Sequence, residues 1–214
     1  MAALRFFFGT MGSGKSTQAL QIHHNLTSRG LACLLITQLD RQAGVVSSRL
    51  GVSAEATLID PTVDLHRLIS AAHYGGPGLD AVICDEAQFY EPRQIDQLAR
   101  IVDELDIELY AFGLLTSFQG LLFDGTKRLL EVADVRQEIQ VEARCWCGAR
   151  ATHNARLVDG RQVYDGALIA VGDTQHGADG PPQVSYDLRC RKHWMAGKAE
   201  ARQDALFDDL TLGV

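Results

Sequence analysis

The run Gly9-Thr10-Met11-Gly12-Ser13-Gly14-Lys15-Ser16 places three glycines ahead of a lysine and a hydroxyl, matching G-x-x-x-x-G-K-[ST]. Those types suit one chemistry. Glycines let backbone N–H groups turn inward around phosphate oxygens, and a helix N-terminus behind them adds partial positive charge. Lys15 would neutralise charge on the β- and γ-phosphates of ATP, and the Ser16 hydroxyl would ligate Mg²⁺. A glycine-rich turn could match by chance, but here an apolar run, Leu4–Phe8, leads in and a helical pattern follows.

A second group is acidic. Ala81-Val-Ile-Cys-Asp85-Glu86 reads as a buried strand ending in two carboxylates. Strand carboxyl ends face the ligand crevice of a parallel sheet. Asp85 there would hold Mg²⁺ with Ser16. Glu86, one residue on, points elsewhere and suits a proton acceptor. The plain alternative is a solvated acidic pair at a helix start, which a preceding phosphate loop disfavours.

A third group is soft. Cys145-Trp-Cys147-Gly148 and Cys190-Arg-Lys-His193 supply three thiols and one imidazole, a closed set of the kind that holds structural zinc. Four protein ligands leave no open position, so a catalytic zinc is not expected. The long segment between Cys147 and Cys190 would be looped out and pinned at both ends. The other two cysteines, Cys33 and Cys84, sit in apolar runs as small core hydrophobes. His23, His24, His66 and His73 fall on predicted helices as solvated or capped residues.

The elements that position these groups alternate. Strands are expected at Leu4–Phe8, Leu31–Thr37, Ala81–Cys84 and Ile107–Leu115. Helices are expected near 15–29, at Val63–Tyr74 and at Glu91–Leu105. Such alternation means an α/β fold, a parallel sheet flanked by helices on both faces. Near Val141 the texture changes to short strand-like pieces. An Asp159-Gly160 turn signal, a loop at Gly172–Gln183 and a polar helix near Arg191–Asp204 follow. The expected division is a nucleotide-binding domain at 1–142, a small β-rich zinc domain at 143–204 and an acidic tail at 205–214.

Composition excludes other classes. With 46% hydrophobic residues the chain is not disordered, and its net charge of -7 argues against a protein living on DNA phosphates. No apolar run is long enough for a signal peptide or membrane helix, so a cytoplasmic location without membrane partners is expected. The competing reading is a nucleic-acid-stimulated ATPase with a zinc-ribbon module, because Asp85-Glu-Ala-Gln resembles a helicase box. Against it stand the acidic charge and the scattered basic residues.

Taken together, the chain resembles the type II thymidine kinases. The shared motifs are Gly9–Thr17, Asp40-Arg41 with Val46-Ser-Ser-Arg49, and Asp85-Glu-Ala-Gln88-Phe89. Further along come Gly113–Gly120, Cys145-Trp-Cys-Gly148, Val171-Gly172, and Tyr186 ahead of Cys190-Arg-Lys-His193. The resemblance implies a RecA-like phosphate-loop domain with a zinc-tethered lasso over the nucleoside. It implies transfer of the γ-phosphoryl of ATP to the 5′-hydroxyl of thymidine, and of deoxyuridine, with Glu86 as base and Asp85 as Mg²⁺ partner. It places Gln88 with the ATP-binding residues and Phe118 near the thymine. Leu168, Ile169, Ala170, Val171 and Gly172 would grip the base edge, and Tyr186 would close that pocket. It implies zinc at Cys145, Cys147, Cys190 and His193, and a homotetramer. No role is carried onto Leu115, and the loop Asp173–Ser185 is longer than is typical of the family.

Overall fold

The computed structural model describes residues 1–38, 44–48, 51–139, 142–168 and 183–197, and divides the chain into two compact units, Met1–Ala143 and Arg144–Val214. In the first unit the order is β1 (Leu4–Gly9), α1 (Lys15–Thr27), β2 (Cys33–Gln38), β3 (Val45–Ser47), β4 (Ser53–Glu55) and β5 (Thr57–Ile59). Then come α2 (Leu65–Tyr74), β6 (Ala81–Asp85), α3 (Pro92–Leu105), β7 (Glu108–Leu114), α4 (Asp124–Val132) and β8 (Val135–Glu138). Among the described residues, six of these strands form one parallel sheet in the order β5-β2-β6-β7-β1-β8, and β3 and β4 pair as a separate antiparallel ribbon.

Alternation along each strand builds a core on both faces. Leu4 and Phe6 of β1, Ile36 of β2, Val82 and Cys84 of β6, and Leu109 and Ala111 of β7 pack on one face with α2, α3 and α4 residues. Phe7, Leu35, Ile83 and Phe112 face the other way, against Ala19 and Leu20 of α1. Strands buried on both sides carry apolar residues at successive positions, which is why β6 reads as an unbroken apolar run. Cys84 lies in this core, and burial drives its thiol pKa upward; burial pushes Cys33 up to about 12. Both stay protonated.

Local signals set the helix ends. Asp64 accepts a hydrogen bond from the Arg67 amide at the start of α2, and the Gln94 side chain accepts from the Glu91 amide at the start of α3. After α1 the chain leaves through Gly30 at φ 78, with the Leu31 amide bonded back to the Leu26 carbonyl. His73 accepts from the Leu79 amide and His66 pairs with Glu104, the capping and surface roles expected of them. No helix among the described residues is long and apolar enough to cross a membrane.

Helix α4 and strand β8 are absent from the sequence expectation. Gly125 in the first turn of α4 obscures its helical pattern, and the structure explains the glycine. A Cβ there would lie 2.5 Å from the Tyr90 carbonyl oxygen, 2.6 Å from that of Ala87 and 2.9 Å from that of Gln88. The helix therefore seats directly on the turn that follows Asp85 and Glu86.

The second unit carries β9 (His153–Val158), β10 (Arg161–Val163), β11 (Val184–Arg189) and α5 (Arg191–Ala196). The three strands form an antiparallel sheet in the order β10-β9-β11. Asp159 and Gly160 both take positive φ, 49° and 76°, at the turn joining β9 to β10, as the Asp-Gly signal predicts. Helix α5 ends at Ala196, where Gly197 turns left-handed at φ 62, and the remainder of the expected polar helix, 198–204, lies outside the described residues. Of the expected loop Gly172–Gln183 only Gln183 is among the described residues, and the expected tail 205–214 lies outside them.

Candidate active site and metal centre

The phosphate loop joins β1 to α1. Gly12 and Gly14 adopt φ 71 and 80, backbone that a side chain would strain. A Cβ on Gly9 would fall 2.5 Å from the Ser13 hydroxyl oxygen, so the loop closes only over a glycine. Lys15 is buried and its Nζ donates to the Thr10 carbonyl at 2.8 Å, arching back over the loop it serves. The loop brings glycine backbone, an ammonium group and the N-terminus of α1 together, the combination that suits an anion.

Strand β6 delivers Asp85 beside the Ser16 hydroxyl. Burial, followed by the neighbouring Glu86 charge, pushes the Asp85 carboxyl up to about 6; the Ser16 hydrogen bond and Lys15 pull the other way. Its Oδ1 is buried without a hydrogen-bond partner, as is the Ser13 hydroxyl. A desolvated carboxylate oxygen with an open lone pair beside a hydroxyl is what a hard cation with oxygen ligands fits.

Glu86 follows in left-handed backbone, φ 52 and ψ 33, at the head of a single 3-10 turn, Ala87–Phe89. A non-glycine residue in that region stores on the order of 1 kcal/mol or more, and it persists because its surroundings hold it. Gln88 supplies part of that hold. Its Nε2 donates to Glu86 Oε2 at 2.5 Å, and its Oε1 accepts from the Leu114 amide at 2.9 Å. Both ends of the Gln88 amide are thus engaged on Glu86 and β7. Gly113 lies so close that a Cβ would meet Gln88 Oε1 at 2.9 Å. Thr126 of α4 donates to the Leu114 carbonyl at 2.7 Å, pinning the same strand end from the other side.

Replacing Gly125 by Ala should therefore disturb this turn. The expected cost is about 1–3 kcal/mol in a denaturant melt, with turnover falling roughly tenfold as Glu86 shifts. Wild-type stability and turnover would show that the turn has slack.

Phe118 is 3% exposed, in the tight loop closed by the Ser117 amide on the Leu121 carbonyl at 2.8 Å. Leu168 and Tyr186 lie in the second unit, and both are held by Arg156, a residue that carries no sequence signal. Arg156 is itself only 4% exposed. It donates through Nε to the Tyr186 hydroxyl at 2.9 Å, and through Nη1 and Nη2 to the carbonyls of Ala167 at 2.6 Å and Leu168 at 2.9 Å. Ile169, Ala170, Val171 and Gly172, and likewise Asp40, Arg41 and Arg49, lie outside the described residues.

The four expected metal ligands converge. One ligand atom from each of Cys145, Cys147, Cys190 and His193 lies within 4.8 Å of the others. Sγ of Cys145 and of Cys190 each stand 3.4 Å from His193 Nδ1, and the Cys147 and Cys190 sulfurs are 3.9 Å apart. A tetrahedral zinc with Zn–S bonds of about 2.3 Å needs edges of about 3.8 Å, so this donor set fits the ion. Cys145 opens a tight loop, its amide on the Ala149 carbonyl and the Gly148 amide on its own. Cys190 caps α5 and places His193 one turn on. Burial raises the Cys145 thiol, but bonds from the Cys147 and Cys190 amides outweigh it and bring the pKa down; the His193 amide lowers Cys190. Trp146 stacks on the ligand His193 at 4.1 Å, and the neighbouring Trp194 stacks on His153 at 4.8 Å.

Comparison with known proteins decides between the two readings of the sequence. The thymidine kinase family profile matches residues 2–194. The chain belongs to the thymidine kinase family. A thymidine kinase of Streptomyces coelicolor is 49% identical over 98% of this chain and 97% of its own length. One from Cutibacterium acnes is 43% identical over 99% and 97%, and one from Ruegeria pomeroyi 40% identical over 91% and 94%. The family match runs through both units, the phosphate loop and the Cys₃His group included. The nucleic-acid-stimulated ATPase is not favoured.

Proposed function

We infer that the chain is a thymidine kinase: it transfers the γ-phosphoryl group of ATP to the 5′-hydroxyl of thymidine, giving thymidine monophosphate for DNA precursor synthesis. The observation that carries the chemistry is the left-handed Glu86, held by Gln88 one residue beyond the buried Asp85. The family carries the substrate.

Each group has a role in this reading. Amides of Gly9–Ser16 and the Lys15 ammonium bind and orient the triphosphate. Ser16 and Asp85 would hold Mg²⁺, which when bound supplies charge neutralisation on the β- and γ-phosphates. Glu86 takes the proton of the 5′-hydroxyl as its oxygen bonds to the γ-phosphorus and the bond to the β-phosphate oxygen breaks. Gln88 keeps the Glu86 carboxylate aimed. Phe118, Leu168–Gly172 and Tyr186 receive the nucleoside. Structural zinc on Cys145, Cys147, Cys190 and His193 ties the ends of the second unit. With a net charge of -7, positive potential for the triphosphate must come from Lys15, the helix terminus and the metal.

Assembly as a homotetramer, a cytoplasmic location and the absence of nucleic-acid or membrane partners are proposed on the family resemblance and the acidic charge. Light scattering on the zinc-loaded protein tests the first. The function itself is tested with γ-labelled ATP against a panel of nucleosides. Label is expected in the 5′-monophosphates of thymidine and deoxyuridine, dependent on a divalent cation. ATP hydrolysis that rises with single-stranded DNA and ignores thymidine would overturn the reading.

A further inference from the structure

We propose that Arg156 is a positioning residue for nucleoside binding: a single buried guanidinium sets both the Tyr186 phenol and the backbone at Ala167–Leu168. This rests on the reading of Leu168 and Tyr186 as nucleoside contacts.

Arg156 and Tyr186 are directly opposed residues of β9 and β11. The guanidinium carbon lies 5.4 Å from the centroid of the Tyr186 ring, while Nε donates to its hydroxyl at 2.9 Å. The ring is held both over its face and at its tip. The two remaining nitrogens reach the successive carbonyls of Ala167 and Leu168. Only a planar fork serves three acceptors in fixed relative directions; an ammonium group is a point donor. The chain arrives at this fork through Gly166, whose φ of 117 is closed to other residues and whose missing Cβ would lie 3.7 Å from Arg156 Nη1.

Two consequences follow from donor chemistry. Because Arg156 donates to the phenolic oxygen, the Tyr186 hydroxyl keeps its own hydrogen to donate, so the tyrosine is set as a hydrogen-bond donor. Because Leu168 and Tyr186 share one anchor, a displacement at either is transmitted to the other. Arg156 touches neither phosphate nor metal ligands in this reading, so its loss should act on thymidine affinity and leave the phosphoryl-transfer step alone.

The test compares full-length, zinc-loaded Arg156→Gln, Arg156→Lys and Tyr186→Phe, measuring kcat, KM for thymidine, KM for ATP and zinc per chain. For Arg156→Gln, KM for thymidine should rise about 10–100-fold, as expected for losing charge-assisted hydrogen bonds, with kcat, ATP KM and zinc content within about threefold of wild type. Arg156→Lys should fall between, since it keeps the charge but gathers its donors on one nitrogen. Adding Tyr186→Phe to Arg156→Gln should raise KM by no more than about twofold further, because the two act through one contact. An unchanged thymidine KM in zinc-loaded Arg156→Gln overturns the proposal. So does a parallel loss of zinc and ATP binding in both Arg156 variants, which would mark a structural role only. Tyr186→Ala with wild-type thymidine KM would remove the nucleoside-contact reading beneath it, an outcome distinct from failure at Arg156.

Discussion

Replacing Glu86 by Gln is expected to lower thymidine phosphorylation by roughly 10²–10⁴-fold while ATP affinity stays within about twofold. The substitution keeps length, shape and the hydrogen bond that the Gln88 amide donates, so the strained turn has no reason to collapse. What is lost is the ability to take a proton. Lys15, Ser16 and the loop amides are untouched, which is why nucleotide binding should survive. Isothermal titration with ATP and steady-state turnover with thymidine together separate the two effects. Turnover within about threefold of wild type would show that the 5′-hydroxyl loses its proton elsewhere, and Glu86 would then be a structural member of the turn.

The second large effect is expected at the metal centre. Cys190→Ser should take zinc from about one per chain to near zero and abolish thymidine binding, while ATP still binds the first unit. The second unit is a three-stranded sheet with a six-residue helix among its described residues. Its buried apolar residues, such as Ala151 and Ala155, are small. A unit of that size cannot offset its ordering entropy by burial alone, whereas structural zinc contributes about 10–16 kcal/mol of binding free energy that becomes folding free energy. Metal analysis, a thermal melt and thymidine titration on the same preparation read the outcome. A chelator-treated wild-type protein free of zinc, with unchanged melting and thymidine affinity, would sink the structural role.

The legible features were those whose chemistry is local. The phosphate loop is a string of eight residues whose glycines answer to backbone angles set within the loop itself, Gly12 and Gly14 among them. The strand-to-carboxylate transition at Asp85 and Glu86 is equally local. The Cys₃His group is readable across a long insertion because thiols and imidazoles in polar surroundings have few other uses, and here the four ligand atoms meet within 4.8 Å. The parallel sheet is readable because strands covered on both faces must be apolar at successive positions.

Other features depend on neighbours far along the chain, and the tertiary structure alone decided them. Gly125 looks like a helix breaker in sequence; folded, it is the gap that lets α4 rest on the carbonyls of the Glu86 turn. Gln88 carries a motif-level expectation of nucleotide contact, yet its partners are Glu86 and the end of β7. Arg156 is one of several scattered basic residues until β9 and β11 pair and bring Tyr186 and Leu168 to its guanidinium. The opening chemistry of glycines, carboxylates and thiols is written in residue type and spacing, because each group makes its bond to ligand or metal directly. What aims those groups is written in long-range packing, since a carboxylate, a phenol or a carbonyl is held in direction by partners that sequence distance conceals.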